Sequence, residues 1–246
     1  HPHDLQCQHA ELHALDGASF ADGESKPMTI LKRLKQLLSG SPRTLASRDA
    51  YTKWVATYPP IPHNAFMQAE QDSMLKLMPS LNNKTVLDLA CGTGRYVRIA
   101  QERGAHIVVG LDNSYPMLHA ADQKSLACAE TSALCLPDNS VDAILCGLAL
   151  GHLPSIDKTM SEISRVLRPN GSVLISDLHP YQTLTGAQRT FSASDGTTYA
   201  VEHYLHTLSD YINTAQMHQL QITALDEPAV HGDTPAVLVM RFDKMG

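Results

Sequence analysis

Acids and histidines in this chain stand where apolar runs end. The stretch VLDLACGTGRY (86–96) carries Asp88 late in its run and then turns through Gly92 and Gly94. A glycine turn after a strand lets backbone approach a ligand closely, and such a turn can cradle a dinucleotide, a phosphate or an adenosyl group. In the dinucleotide pattern G-x-G-x-x-G the third glycine packs the next helix against the sheet, and here Val97 fills that place. A pyrophosphate would be repelled by the Asp88 carboxylate, whereas an ammonium or sulfonium would be attracted to it. The next apolar run, HIVVGLD, ends on Asp112. Either acid alone could be a turn cap; two at the C-terminal ends of neighbouring parallel strands lie where such sheets bind ligands. Cys91, inside the turn, has no cation near it in sequence to favour a thiolate and is read as a packing residue.

The elements that must position these groups follow from hydrophobic periodicity. TVLDL, HIVVGLD, SLACAE, SVDAILCGLA and SVLISDLHP are apolar runs of strand length. Between them lie the helical patterns GRYVRIAQERG, SYPMLHAADQK and SIDKTMSEISRVLRPNG, the last stopped by Pro-Asn-Gly. Continuous apolar strands separated by helices predict a parallel sheet covered on both faces. VEHYLHTLSDYINTAQMHQL (201–220) predicts a helix, and QITALDEP and AVLVMRF predict two strands whose short connection forces antiparallel pairing. The core domain is thus expected over 84–246.

Before it, 1–27 is His-rich, acidic and without sustained periodicity, which predicts a weakly ordered extension with no metal site assigned to it. MTILKRLKQLL (28–38) predicts a short basic amphipathic helix suited to packing on its own domain or in a homodimer, with 39–43 a linker and the whole extension running to 45. Residues 46–83 predict two helices broken at 59–62. Tyr51, Trp54 and Tyr58 share a face of the first, either as core or over a ligand.

The chain has 246 residues, 43% of them apolar, and a net charge of -6. That balance disfavours nucleic acid, whose binding rests on neutralising phosphates. Five cysteines without metal-ligand spacing predict buried free thiols in a reducing compartment. No apolar run approaches the ~18 residues of a membrane span and no signal pattern is present, so a cytoplasmic location is expected.

Taken together, VLDLACGTGRY, GLDNSYPML, AETSALCLPDNSVDAIL and LALGHLPSIDKTMSEISRVLRPNGSVLISD resemble, in order, the motifs of the class I S-adenosylmethionine-dependent methyltransferases, type 11-like subgroup. The resemblance covers about 84–178 and implies a Rossmann-like, doubly wound α/β fold. The implied sheet is mostly parallel and seven-stranded, with an antiparallel C-terminal strand. It also implies roles. Gly92 and Gly94 let the backbone pass the methionine part of the cofactor, the carbonyls around Ala90 and Gly147 accept from its ammonium, and Asp88 supports the turn or that ammonium. Asp112 accepts from the two ribose hydroxyls. Asn113 and Met117 flank the adenine, Glu130 accepts from its amino group, and the Thr131 N–H donates to a ring nitrogen. The family commonly has Asp in the place of Glu130 and Gly-Gly where this chain has Asn170-Gly171.

Methyl transfer needs a base only where the acceptor must lose a proton. His152 and His179 each follow a strand at the ligand-binding edge and are the candidates, with structural roles as the alternative. Tyr199 and His203 lie in a segment that in this family often covers the substrate. The helix before the first strand often serves as a lid there, which marks 46–83 as a helical lid and makes Tyr51 and Tyr58 cofactor neighbours and His63 and Asn64 substrate-side groups. The expected activity is methylation of an O, N or C atom of a small molecule or carrier-bound small acid, such as a malonyl thioester or quinone precursor. A nicotinamide-dependent oxidoreductase and a non-catalytic S-adenosylmethionine-binding regulator are the alternatives.

Overall fold

The computed structural model describes residues 41–246. The extension 1–27, the basic helix expected over 28–38, the dimer contact expected of it and Cys7 lie outside the described residues.

The chain opens with β1 (Arg43–Leu45), α1 (Ser47–Trp54) and α2 (Ala65–Leu77), then alternates: β2 (Thr85–Leu89), α3 (Arg95–Glu102), β3 (Ile107–Asp112), α4 (Tyr115–Ala120), β4 (Leu126–Cys128) and β5 (Val141–Gly147). It continues through α5 (Asp157–Val166), β6 (Leu167–Leu178), α6 (Pro180–Leu184), β7 (Thr190–Ser192), β8 (Thr198–Val201), α7 (Leu208–Met217), β9 (Leu220–Asp226) and β10 (Val237–Lys244). Seven strands form one sheet in the order β4-β3-β2-β5-β6-β10-β9. It is parallel from β4 to β6, and β10 runs antiparallel to both its neighbours.

Alternation along each strand assigns side chains to the two faces. Leu87 and Leu89 join the core on the α5 and α7 face, while Val86 joins the core on the α2 and α3 face. Asp88 is therefore aimed at the α3 side, at the end of its strand. Among the described residues no helix is long and apolar enough to cross a membrane.

The structure departs from the sequence expectations in several places. β1, β8 and β7 form a second, three-stranded sheet, with β1 and β8 parallel. Strands of three or four residues carry too few alternations to register as periodic. The helix expected over 201–220 begins only at Leu208, because Thr207 and Asp210 form a capping box that starts it there. Residues 201–206 instead leave β8 and run in to that cap. The helix expected to stop at Pro-Asn-Gly ends at Val166, and Leu167 enters β6 directly, with Asn170 left-handed at φ 62.

The segment 46–83, expected as one lid, divides. α2 packs against β6, β10 and β9, with its Glu70 fully buried, and is part of the core layer. α1 carries Trp54 and Ala50 into a separate apolar cluster with Phe191 and Val201 under the small sheet. Of the thiols expected to be buried, Cys91 and Cys146 are, whereas Cys128 and Cys135 are exposed, β4 being a short edge strand.

Candidate active site

Three residues of the turn after β2 are left-handed: Ala90 (φ 56), Gly92 (φ 54) and Gly94 (φ 79). At the end of the neighbouring β5, Leu148 is left-handed too (φ 56). Such a conformation strains a residue with a side chain, and strain of this kind gathers at ligand sites. Gly94 heads α3 and has no side chain to cap it. Asp88 does so from the strand, its Oδ2 accepting from the Val97 N–H at 2.9 Å. Asp112 closes the same turn from β3, accepting from the Gly92 N–H at 2.8 Å and the Ser114 N–H at 2.7 Å. Both acids are thus caps, and both also face a cavity.

That cavity holds about 980 Å³ of space including its open mouth, large enough for a nucleoside-sized ligand with a small second molecule. It opens at the C-terminal ends of β2, β3 and β5. Asp88, Ala90, Gly92, Asp112 and Gly147 line its floor; Asn113, Met117 and Thr131 line one end; Tyr51, Tyr58 and His152 line its roof. A Cβ on Gly147 would stand 2.6 Å from Tyr96, so only glycine fits there.

Burial dominates the electrostatics. It raises the Asp88 carboxyl to about 8, against the opposing Val97 N–H and the Arg95 charge. Asp112 is raised as well, by burial first. Burial also pushes up the Cys91 thiol, which leaves it protonated and inert as a nucleophile. His152 goes the other way: burial, then the Arg189 charge, lowers it to about 4. Its Nδ1 lies 2.8 Å from the Glu202 carbonyl, which can only accept, so Nδ1 carries the proton. Nε2 then accepts from the Tyr51 hydroxyl at 3.1 Å.

Several expected site residues stand elsewhere. His179 does not line the cavity; its Nδ1 accepts from the Tyr181 N–H at 3.1 Å as the cap of α6, and its Nε2 lies 3.0 Å from Glu227. That is the structural alternative, and it takes His179 out of the base role. Asn64 caps α2 through the Met67 N–H, with His63 beside it and off the cavity. Tyr199 stacks on Phe191 beneath the small sheet, and His203 pairs with the buried Asp177 at 3.2 Å. Glu130 sits outside the cavity lining, with its oxygens taken by Arg48 and by Asn113 Nδ2, the latter at 3.0 Å. An adenine amino group would have to displace one of these partners. Gly94 shapes the turn without lining the cavity.

Two arginines in the lining went unnoticed in the sequence. Arg95 directly follows the glycine turn, which was the available signal. Its Nη2 pairs at 2.7 Å with Glu70, and its guanidinium lies over the Tyr96 ring at 4.5 Å. Glu70 also accepts from Tyr96 Oη at 2.8 Å and Ser176 Oγ at 2.6 Å. Arg95 Nη1 is buried with no hydrogen-bond partner among the described residues. Arg189 comes from the irregular segment before β7, where no pattern marked it.

Residues 87–175 match the family described as methyltransferase domain. A malonyl-[acyl-carrier protein] O-methyltransferase of Coxiella burnetii is 35% identical over 134 residues, covering 54% of this chain and 46% of that protein. An uncharacterized protein of Haemophilus influenzae is 30% identical over 150 residues, covering 55% of this chain and 59% of the relative. The chain thus spans about half the length of either relative. Among solved structures, an S-adenosylmethionine-dependent methyltransferase from Mesorhizobium loti superposes with a TM-score of 0.62 at 20% identity, covering 74% of this chain and 100% of that one.

Proposed function

From a chain with the class I S-adenosylmethionine-dependent methyltransferase fold, matching the methyltransferase domain over 87–175, we infer an enzyme that methylates a small molecule or a carrier-bound small acid. The observation that carries this is the convergence of Asp88, Asp112 and the left-handed turn at Ala90 and Gly92 on one cavity. The donor set fits the cofactor: two acids for an ammonium and a diol, and the unsatisfied Arg95 Nη1 for a carboxylate.

Asp88 and the Ala90 and Gly147 carbonyls would hold the ammonium end, Asp112 the ribose hydroxyls, and Asn113, Met117 and Thr131 the adenine. The bound cofactor supplies a methyl group activated on a sulfonium, which an acceptor displaces in line. Tyr51 donates its proton to His152, so its oxygen lone pairs are left for the cavity, and α1 above it excludes water. His152, lowered to about 4, is neutral near pH 7 and a weak proton acceptor. The chain's own groups therefore favour an acceptor that arrives already ionised. The acceptor in the Coxiella relative's name, malonyl-[acyl-carrier protein], has such a carboxylate in its malonyl group. This reading puts the enzyme in the cytoplasm, in keeping with the four free cysteines among the described residues.

Incubating the purified chain with methyl-labelled cofactor and a metabolite extract tests the activity. A labelled small product is expected, and its absence together with tight nicotinamide binding would overturn the reading. Two further outcomes are specific. Binding a cation beside Asp88 draws its proton off, so cofactor affinity rises from pH 6 towards about 8, where loss of the cofactor's own ammonium proton begins to oppose it. Calorimetry in buffers of different ionisation enthalpy should register the released proton. His179→Ala should leave turnover unchanged and cost about 1 kcal/mol of stability through the lost cap; a collapse of turnover with normal folding would restore the base role.

A further inference from the structure

Arg189 is a half-buried cation in the cavity wall, without a counter-charge in contact among the described residues. Its guanidinium lies 5.4 Å from the Trp54 ring centroid and 5.9 Å from that of Tyr51, and its Nη1 reaches the Leu148 carbonyl at 3.3 Å. It stays charged: desolvation acts against the charge, but its surroundings, the Asp177 carboxylate among them, raise the guanidinium further. No carboxylate among the described residues forms an ion pair with it.

Asp177, the acid whose field it feels, is already committed. Asp177 accepts from the Leu178 N–H (2.8 Å) and His203 Nε2 (3.2 Å) on one oxygen. Its other oxygen accepts from the Gly151 N–H (2.6 Å) and Tyr211 Oη (2.7 Å). Those four bonds fill a carboxylate's accepting positions. An arginine has five N–H donors in a planar fork that matches a carboxylate, and desolvating it without one is costly.

Two cations thus face one cavity, and they are not equivalent. Arg95 follows the glycine turn and has Glu70 behind it, which suits the single carboxylate of the methyl donor. Arg189 comes from the other side, out of the covering segment, next to His152 and Tyr51. We propose that Arg189 is the specificity residue for the methyl acceptor, pairing with a carboxylate that the acceptor brings into the cavity. This rests on the methyltransferase reading and narrows its substrate class to organic acids.

Trp54 is the chain's one tryptophan and lies against the Arg189 guanidinium, so its fluorescence reads that position directly. The full chain, saturated with S-adenosylhomocysteine, is titrated with benzoate and with monoethyl malonate, and in parallel with their neutral amides, at constant ionic strength. The anions should give a saturable change and bind about tenfold or more tightly than the amides, as one charge-assisted pair predicts. Arg189→Met should abolish that preference while keeping S-adenosylhomocysteine affinity, and Arg189→Lys should keep part of it.

Equal binding of amides and anions, or an Arg189→Met variant that still prefers anions, overturns the proposal. So does an Arg189→Met variant that no longer prefers S-adenosylhomocysteine over methylthioadenosine, because the guanidinium then serves the donor's own carboxylate. Failure of the wild-type chain to bind S-adenosylhomocysteine at all overturns the methyltransferase reading beneath it. Binding without discrimination between anion and amide overturns only the assignment of Arg189.

Discussion

Glu70→Ala is expected to destabilise the folded chain by about 3–5 kcal/mol, the cost typical of removing one partner of a buried ion pair. Glu70 is fully buried on α2, and the change leaves the Arg95 guanidinium without its counter-ion and Tyr96 Oη and Ser176 Oγ without their shared acceptor. Denaturant midpoints for the wild type and the variant would measure it. Combining Glu70→Ala with Arg95→Met should recover part of the loss, because the orphaned charge is then gone. A cost near zero would mean that the pair is open to water. Since Arg95 lines the cavity, a bound donor carboxylate should also narrow the gap between variant and wild type.

Asp112→Ala is expected to weaken cofactor binding by about 2–4 kcal/mol, read by calorimetry with S-adenosylhomocysteine. The side chain has two duties that fail together. It is the charged acceptor offered to the ribose hydroxyls, and it holds the Gly92 and Ser114 N–H groups that set the turn. Asp112→Asn separates them: its remaining carbonyl oxygen can still hold one N–H, so it should fall between alanine and wild type. Unchanged binding in the alanine variant would detach the β3 end from the cofactor. Glu130→Gln, whose partners are Arg48 and Asn113, should cost far less.

The sheet was legible because its strands are long, apolar and spaced by amphipathic helices, and because the ligand edge of a parallel sheet follows from strand direction. Asp88, Asp112 and Gly147 were legible for the same reason, as residues at strand ends. Residues whose roles depend on a partner far away in sequence were not. Arg189 meets Tyr51 and Trp54 across the fold, and Glu70 gains its partners only where α2 packs against β6. His179 and Asn64 misled for a related reason. Both open a helix, and a polar residue there satisfies an N–H before it serves any ligand.

The short ladder between β1 and β8 has a mechanical result. It splices the segment that leads into α1 to a strand some 150 positions later, through the pairs Arg43 with Tyr199, Thr44 with Ala200 and Leu45 with Val201. Trp54 stacked on Phe191 is a second rivet between the same two pieces. The roof of the cavity is therefore a single panel and not a pair of independent flaps. Its two ends are tied to the sheet domain as well, the Pro60 carbonyl by Arg98 and the run 202–206 by the Tyr204 N–H on the Gly151 carbonyl and by His203 on Asp177, so loosening either piece strains both.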